Sequence, residues 1–153
     1  EMIEPFRRAL NDNSTLTEED FVEKVVIDVP MPLDYISERL IGELSYLEPF
    51  GKGNSKPVFA EKNLAVCSAR VVGQSGRVVR MRVANAAGTM MDAVYFGDAK
   101  VFREYIEEKY GCAETEKLFQ GRKNAVHLSV IYYPSINEYN GLRSIQIVVQ
   151  SYQ

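Results

Sequence analysis

The sequence predicts a mainly β protein, a five-stranded barrel preceded by a segment that mixes helix and strand. Strand-like runs with alternating apolar residues fill the chain after residue 63. One amphipathic helix interrupts them between the third and fourth runs, and a tight turn joins the last two. Three strands, a helix and two strands is the element order of the Greek-key OB barrel. An unrelated α+β sandwich is the alternative that this order leaves open.

The opening residues predict two helices. Apolar side chains recur there at spacings of three and four, as at the end of an amphipathic helix: Ile3, Phe6 and Leu10. A short acidic helix capped by Thr15 or Thr17 is expected next, running through Phe21, because its acids fall in the first turn. Glu1 precedes Met2, which suggests that the chain is part of a longer protein.

A strand and a further helix complete the first 48 residues. The β-branched run 24–29 predicts a strand that Pro30 ends. Asp34 is the predicted N-cap of a helix that ends near Glu48. Its apolar stripe consists of Ile36, Leu40, Ile41, Leu44 and Leu47.

The barrel strands are predicted over residues 64–72, 77–84, 89–96, 126–133 and 142–152. The second of these strands alternates with period two, so Val79, Met81 and Val83 lie on one face. Arg80 and Arg82 lie on the other face. The alternation therefore predicts a core side and a basic side.

The connections between these strands have recognisable signals. Asp98 is a predicted N-cap and Gly111 a predicted stop for the helix between the third and fourth strands. Residues 112–123 are polar and are expected to be irregular. Asn140 and Gly141 tolerate positive φ and predict a type I′ hairpin between the last two strands.

The net charge of −3 hides an asymmetry along the chain. Residues 1–48 carry twelve acids against four Lys or Arg, a net charge of −8. Residues 49–153 carry nine acids against fourteen Lys or Arg, a net charge of +5. Two units with different surfaces are indicated, and only the second suits a polyanion.

Residue types that bind metals or act as nucleophiles are scarce. Cys67 and Cys112 are far apart and lack metal-ligand spacing, which argues against a zinc site and a disulfide framework. His127 is the only histidine, so neither a metal cluster nor a histidine-based triad is expected. No apolar run approaches the ~20 residues of a membrane span. We therefore expect a cytoplasmic protein with no cofactor and no membrane partner.

The junction segment, Leu47 to Phe59, is the most distinctive stretch. Pro49 ends the preceding helix, Gly51 and Gly53 permit a tight path, and Pro57 stiffens the exit. Its Gly-Lys-Gly sequence lacks the spacing of a phosphate-binding P-loop. A plain linker with two incidental lysines is the simpler alternative.

The junction segment closely resembles the LEPFG-x-GNP-x-P-x-F signature of RecJ-type single-strand-specific exonucleases. In that family the signature links the second lobe of the nuclease core to a following OB domain. Ser55 stands where the family usually has proline.

Further resemblances lie in the predicted barrel. Residues 80–82 match in character the family's His-Leu-Lys run, with Arg in place of His and Lys. Residues 93–97 match its Ala-x-x-Phe-Gly pattern, and Asn137, Gly141 and Gln146 match its last hairpin. The resemblance extends from about Phe6 to the end of the chain.

The resemblance implies a division of the chain and a parent enzyme. Residues 1–48 would be the tail of the second nuclease lobe, 49–63 a connector and 64–153 the OB domain. The family belongs to the DHH phosphoesterases, which use Mn²⁺ or Mg²⁺ and digest single-stranded DNA from 5′ to 3′ in repair and recombination. No Asp-His-His motif occurs here, so this chain is expected to be a non-catalytic part.

OB domains bind single strands with cations and aromatic faces on their second and third strands and adjoining loops. Between Lys62 and Met91 the chain has five cations and no acid. The predicted contacts are Arg70, Arg77, Arg80, Arg82, Tyr95, Tyr133, Tyr139, Arg143, Lys52 and Lys56. For Tyr95 and Tyr133, core packing is the alternative, because a shift of one residue reverses the face.

Single-stranded DNA and the rest of the nuclease core in cis are the expected partners, with a single-strand-binding protein as a further one. The competing interpretation is a protein-interaction or architectural module that docks on the nuclease core or on such a protein. The weak net charge favours that alternative.

Overall fold

The computed structural model describes residues 3–15 and 26–153. Its elements, in chain order, are α1 Ile3–Asp12, β1 Val29–Pro30, α2 Glu38–Ser45, β2 Phe59–Val72, β3 Val78–Ala84, β4 Met90–Phe96, α3 Ala99–Tyr110, α4 Cys112–Phe119, β5 His127–Tyr139 and β6 Leu142–Tyr152. α1 matches the first predicted helix, whereas the acidic helix through Phe21 lies outside the described residues. No helix in the described ranges is long and apolar enough to cross a membrane.

Five strands close into a barrel. β2 pairs antiparallel with β5 through its first half and with β3 through its second half. β3 pairs with β4, β4 runs parallel to β6, and β6 pairs with β5, so the cyclic order is β2-β3-β4-β6-β5. The mainly β class and the five-stranded OB barrel, with a helix between its third and fourth strands, are confirmed. β1 adds a short sixth strand.

β2 can pair with both β5 and β3 because its pairing is interrupted at two points. Register shifts fall at residues 62–63 and at Cys67, and such bulges bend a strand. Asn63 has a φ of 58°, a left-handed conformation that asparagine tolerates better than most residues. β2 begins at Phe59 rather than at the predicted Leu64, because residues 59–61 also pair with β5.

The alternation in β3 defines the core as predicted. Val79, Met81 and Val83 are buried, and Val79 is 0% exposed. α3 packs Phe102 and Ile106 into the same core. α3 also begins at its predicted cap, since the carboxylate of the residue before it accepts a hydrogen bond from the amide of Lys100 at 2.8 Å.

α4 corrects the expectation that residues 112–123 are irregular. Thr115 and Leu118, three positions apart, are both fully buried on one face of this helix. The Thr115 hydroxyl donates to the carbonyl of Gly111 at 3.1 Å. Tertiary burial thus stabilises a helix whose remaining residues are mostly polar.

The β5–β6 hairpin has the predicted turn. Asn140 and Gly141 have φ values of 52° and 75°, so both central residues are left-handed, as a type I′ turn requires. β5 continues to Tyr139, six residues beyond the predicted end, because β6 pairs with it up to the turn.

The segment before the junction packs on the barrel. β1 pairs parallel with the first residues of β2, and the strand predicted over 24–29 is reduced to Val29–Pro30 among the described residues. Pro30 is tolerated there because β1 is an edge strand. The core cluster includes four side chains of this segment: Met31, Leu33, Ile36 and Leu44. The division of the chain at residue 48 stays a prediction.

Asp34 is not the N-cap of α2. Ser37 has that role, and its hydroxyl accepts from the amide of Leu40 at 3.1 Å. The Asp34 carboxylate instead accepts hydrogen bonds from Asn85, at 2.7 Å, and from the hydroxyl of Thr89, both in the β3–β4 turn. These bonds hold the pKa of Asp34 below its usual value. The side chain thus ties the first segment to the barrel.

A second carboxylate makes the same kind of connection from the barrel side. The amide of Leu33 donates to the Glu61 carboxylate of β2 at 2.8 Å. Burial raises the pKa of Glu61 above its usual value, although this hydrogen bond acts in the other direction. Leu33 itself is 1% exposed and belongs to the barrel core. The sign of the net charge therefore changes near residue 48 without a break in the core, because residues on both sides of this point pack in the same core cluster.

Tyr132→Phe tests how firmly this segment is held. The Tyr132 hydroxyl is buried and donates to the carbonyl of Met31 at 2.5 Å. Its removal leaves a buried acceptor without this donor, so we expect unfolding free energy to fall by about 1–3 kcal/mol in a denaturant titration. Tyr46→Phe, at a side chain 87% exposed, is the control. Equal unfolding free energies for the two variants would show that the hydrogen bond from Tyr132 to Met31 does not hold this segment on the barrel.

Candidate nucleic-acid interface

The outer face of the barrel is formed by strand residues that alternate with the core residues. Register links five of them into one row that crosses five strands: Arg70, Arg80, Val94, Val148 and Tyr133. We call this the central row. Neighbouring strands lie about 4.8 Å apart, so the row follows the curved wall of the barrel for roughly 19 Å. Strand pairing therefore brings together residues that are up to 78 positions apart in sequence.

Arg70 and Arg80 are direct cross-strand partners at one end of the central row. Within the described residues neither guanidinium belongs to an ion pair. Like charges directly opposite each other destabilise a sheet. An anion placed between them would relieve this repulsion.

A second row runs beside the central row. By register it contains Ser68, Arg82, Asp92, Gln146 and Ser135. Nη1 of Arg82 lies 2.8 Å from Oδ1 of Asp92, and the Gln146 amide donates to the Ser135 hydroxyl at 3.3 Å. Arg82 is thus already partnered. Asp92 follows immediately after the acid-free stretch of the sequence, so this partnership was not predicted.

A cleft of about 430 Å³ lies against the arginines. Arg70, Arg80 and Arg82 line one part of it, and Phe119 and Gln120, at the end of α4, line another. The part of the cleft lined by α4 was not predicted, because residues 112–123 were expected to be irregular. Asp92 also lines the cleft and is paired with Arg82, so among the described residues the guanidinium groups of Arg70 and Arg80 are the ones left to bind an anionic group.

Lys56 and Tyr133 occupy the other end of the central row. The ammonium nitrogen of Lys56 lies 3.7 Å from the centroid of the Tyr133 ring, and the Phe50 ring packs edge-on at 6.3 Å. Tyr133 is only 6% exposed. Burial, and then the Glu48 carboxylate, raise the pKa of its phenol. Lys56 is the accessible group here, and Tyr133 holds it by a cation–π contact.

Asn54 shapes the junction loop that carries these lysines. Its side-chain amide donates to the carbonyls of Leu47 at 2.7 Å and of Pro49 at 3.0 Å. Gly51 and Asn54 also exchange backbone hydrogen bonds at 2.8 and 3.1 Å. Lys52 is exposed at the tip of the closed loop.

Tyr95 does not lie on the outer face. Its ring lies on the core side of β4, with ring centroids 5.1 Å from Tyr152 and 6.2 Å from Phe102. The alternative of core packing holds for this residue, because it shares the parity of Ala93, which is fully buried.

The remaining predicted residues lie away from the central row. Arg77 is exposed just before β3 and has the parity of the core-facing residues. Arg143 pairs across the hairpin with Glu138, on the opposite face from Gln146. Tyr139 shares the outer face but lies at the hairpin tip, 71% exposed. The structure thus separates these three from the arginine pair.

In the described part of the chain, no group of three His, Cys, Asp or Glu side chains could hold a metal ion. Apart from the Asp92 carboxylate, the polar side chains in the two rows of the outer face are cations, amides and hydroxyls. Such groups bind anions by charge and hydrogen bonds.

Comparison with known proteins gave four related matches: a family model, one relative and two crystal structures. A family model described as the RecJ OB domain matches residues 27–151. The single-stranded-DNA-specific exonuclease RecJ of Bacillus subtilis (strain 168) is 26% identical over 152 residues, which is 98% of this chain and 17% of that protein. The chain therefore spans about one sixth of that relative.

Two crystal structures of RecJ from Thermus thermophilus also resemble the chain. The Mn²⁺ complex has a TM-score of 0.57 at 19% identity, and the Mg²⁺ complex 0.55 at 20% identity. Each alignment covers 86% of this chain, and 16% and 17% of the respective structures. At these identities the likeness shows the fold.

Asn54→Ala tests the closed junction loop. We expect the loss of two side-chain hydrogen bonds to lower unfolding free energy by about 1 kcal/mol and to speed amide hydrogen exchange at Gly51 and Asn54. Ser55→Ala is the matched control, because the Ser55 hydroxyl makes no hydrogen bond within the described residues. Unchanged exchange in the Asn54 variant would disprove the role given to this side chain.

Proposed function

The chain belongs to the RecJ OB domain family, and on that premise we propose that it is a non-catalytic module that binds single-stranded nucleic acid. In this proposal it works within a longer RecJ-like enzyme that digests single-stranded DNA from 5′ to 3′ in repair and recombination. The named relative is a single-stranded-DNA-specific exonuclease, which supports this substrate.

The observation that supports binding most directly is the Arg70–Arg80 pair. Two guanidinium groups that have no ion-pair partner in the described part of the chain lie opposite each other on neighbouring strands, at a cost to the stability of the sheet. Local violations of folding rules of this kind concentrate at functional sites. A phosphate of the strand would bridge the two groups and turn the repulsion into two charge-assisted contacts.

The central row gives the strand a path across the barrel. Arg70 and Arg80 would hold phosphates at one end, and Lys56 would hold another at the opposite end. The roughly 19 Å between these ends fits the site size of about 4–16 nucleotides that OB domains occupy. Val148 is partly exposed between them, whereas Val94 is only 5% exposed and offers no surface to a base.

Hydrolysis would belong to the rest of the enzyme. The described residues offer no set of ligands for the Mn²⁺ or Mg²⁺ found in the Thermus relatives. We propose that the parent enzyme uses such ions in a nuclease core that acts in cis with this module. This chain's own residues bind and orient the strand on its way to that core.

Arg70→Gln and Arg80→Gln test the binding site. Phosphate contacts release counterions, so the chain should bind an oligonucleotide of about 16 nucleotides more tightly at about 50 mM than at about 200 mM salt. Each substitution should lower the slope of log affinity against log salt by about 0.7. Lys109→Gln, an exposed cation on α3, is the charge-matched control. No binding by the unsubstituted chain at low salt would refute the proposal.

Asp92→Asn should have the opposite effect. Removing the carboxylate 2.8 Å from Arg82 frees a third guanidinium for phosphate. We expect tighter binding and a salt slope steeper by about 0.7. Glu108→Gln makes the same change in net charge on α3, away from the outer face, and should change neither quantity. Equal gains in both variants would point to net charge alone.

A protein-interaction module remains the second candidate, favoured by the exposed apolar stripe of α1: Ile3, Phe6 and Leu10. Replacing Arg80 and Arg82 by Glu in the longer enzyme separates the two functions. A strand-binding module should lose processivity on long single strands. An interaction module should retain degradation of naked oligonucleotides.

A further inference from the structure

Phe96 is an exposed aromatic residue on the outer face that matches the family's third-strand pattern but is not among the predicted contacts. It is the last residue of β4 and is 65% exposed. Register pairs it with Val78, which in turn pairs with Val72. These three residues form an apolar row on the same face as the central row, two residues away from it along β3 and β4.

Arg80 and Phe96 are diagonal neighbours. Arg80 pairs with Val94 and Val78 pairs with Phe96, so each lies two positions from the other's partner. Diagonal neighbours on a sheet are about 7–8 Å apart, within reach of long and aromatic side chains. By register Phe96 therefore lies beside Arg80, with Asp92 as the diagonal neighbour of Arg80 on the other side. Asp92 is paired with Arg82, and no acid belongs to the central row or to the row of Phe96.

Tyr95 and Gly97 fix the backbone on either side of the ring. A Cβ at Gly97 would lie 2.3 to 2.5 Å from atoms of the Tyr95 ring, so that ring lies directly against the glycine. The Gly97 amide donates to the carbonyl of Arg77 at 3.0 Å and extends the β3–β4 ladder past Phe96. With Tyr95 held on the core side, strand alternation directs Phe96 outward. The exposed ring thus stands on an ordered support.

We propose that Phe96 is a platform on which a base of the bound strand stacks while Arg80 and Arg70 hold the adjoining phosphate. This inference rests on the proposed function and adds a base contact to it. Aromatic faces accept any base, whereas cations hold the backbone, and single-strand sites combine the two. The exposed ring of Phe96 and the Arg80 side chain, diagonal neighbours on the outer face, would supply that combination.

The first test separates base contacts from phosphate contacts. The chain is titrated with an oligodeoxythymidylate of about 16 nucleotides and with an abasic strand of equal length. The unsubstituted chain should bind the thymidylate strand more tightly, and Phe96→Ala should weaken its binding by about 5- to 150-fold. Phe96→Ala should leave the abasic affinity and the salt slope unchanged. Tyr35→Ala, at a side chain 71% exposed outside the barrel strands, is the matched control.

Two further variants distinguish stacking from a generic apolar contact. Phe96→Leu keeps an apolar surface without a ring, so it should lose thymidylate affinity as Phe96→Ala does. The chain has no tryptophan, so Phe96→Trp introduces a single indole at this position. Its fluorescence should be quenched by the thymidylate strand and not by the abasic strand.

The outcomes separate this inference from the proposal beneath it. If the unsubstituted chain binds the thymidylate strand but Phe96→Ala binds it equally well, the platform is refuted and strand binding stands. Binding without quenching in Phe96→Trp refutes it too. Full retention of strand affinity by Phe96→Leu would refute stacking and point to a generic apolar contact with the strand. If the unsubstituted chain binds neither strand, both inferences fail.

Discussion

β2 closes the barrel, and the positions of the other functional elements follow from that closure. One strand of fourteen residues must pair with β5 and then with β3. The strand must bend to pair first with one neighbour and then with the other around the closed barrel. Its pairing is therefore interrupted at residues 62–63 and at Cys67. The break at Cys67 changes the parity of β2, so that Arg70 lies opposite Arg80 on the outer face. Closure therefore produces the arginine pair.

The outer face combines groups with different electrostatic environments. Arg82 is neutralised by Asp92 on the neighbouring strand, whereas Arg70 and Arg80 face each other without a counter-ion in the described residues. Lys56 lies at the far end and is held over an aromatic ring rather than by an acid. A polyanion that crosses this face meets unpaired cations at both ends. Local partners, and not the total charge of −3, decide which cations are available.

The sequence by itself determined what depends on neighbouring residues. Period-two alternation separated Val79 and Met81 from Arg80, and Asn140 with Gly141 specified the hairpin, because each signal is local to one strand or turn. The junction sequence was also enough to indicate the family.

Only the tertiary structure decided the remainder, because pairing across strands is not local. The partnership of Arg82 with Asp92 and the opposition of the arginine pair depend on register, which alternation within one strand does not set. Successive residues of β4 point to opposite faces, and the fold decided that Tyr95 faces the core and Phe96 faces outward. The helix of residues 112–119 forms because the folded barrel buries one of its faces. The sequence thus determined which groups the barrel carries, and strand closure decided which of them meet.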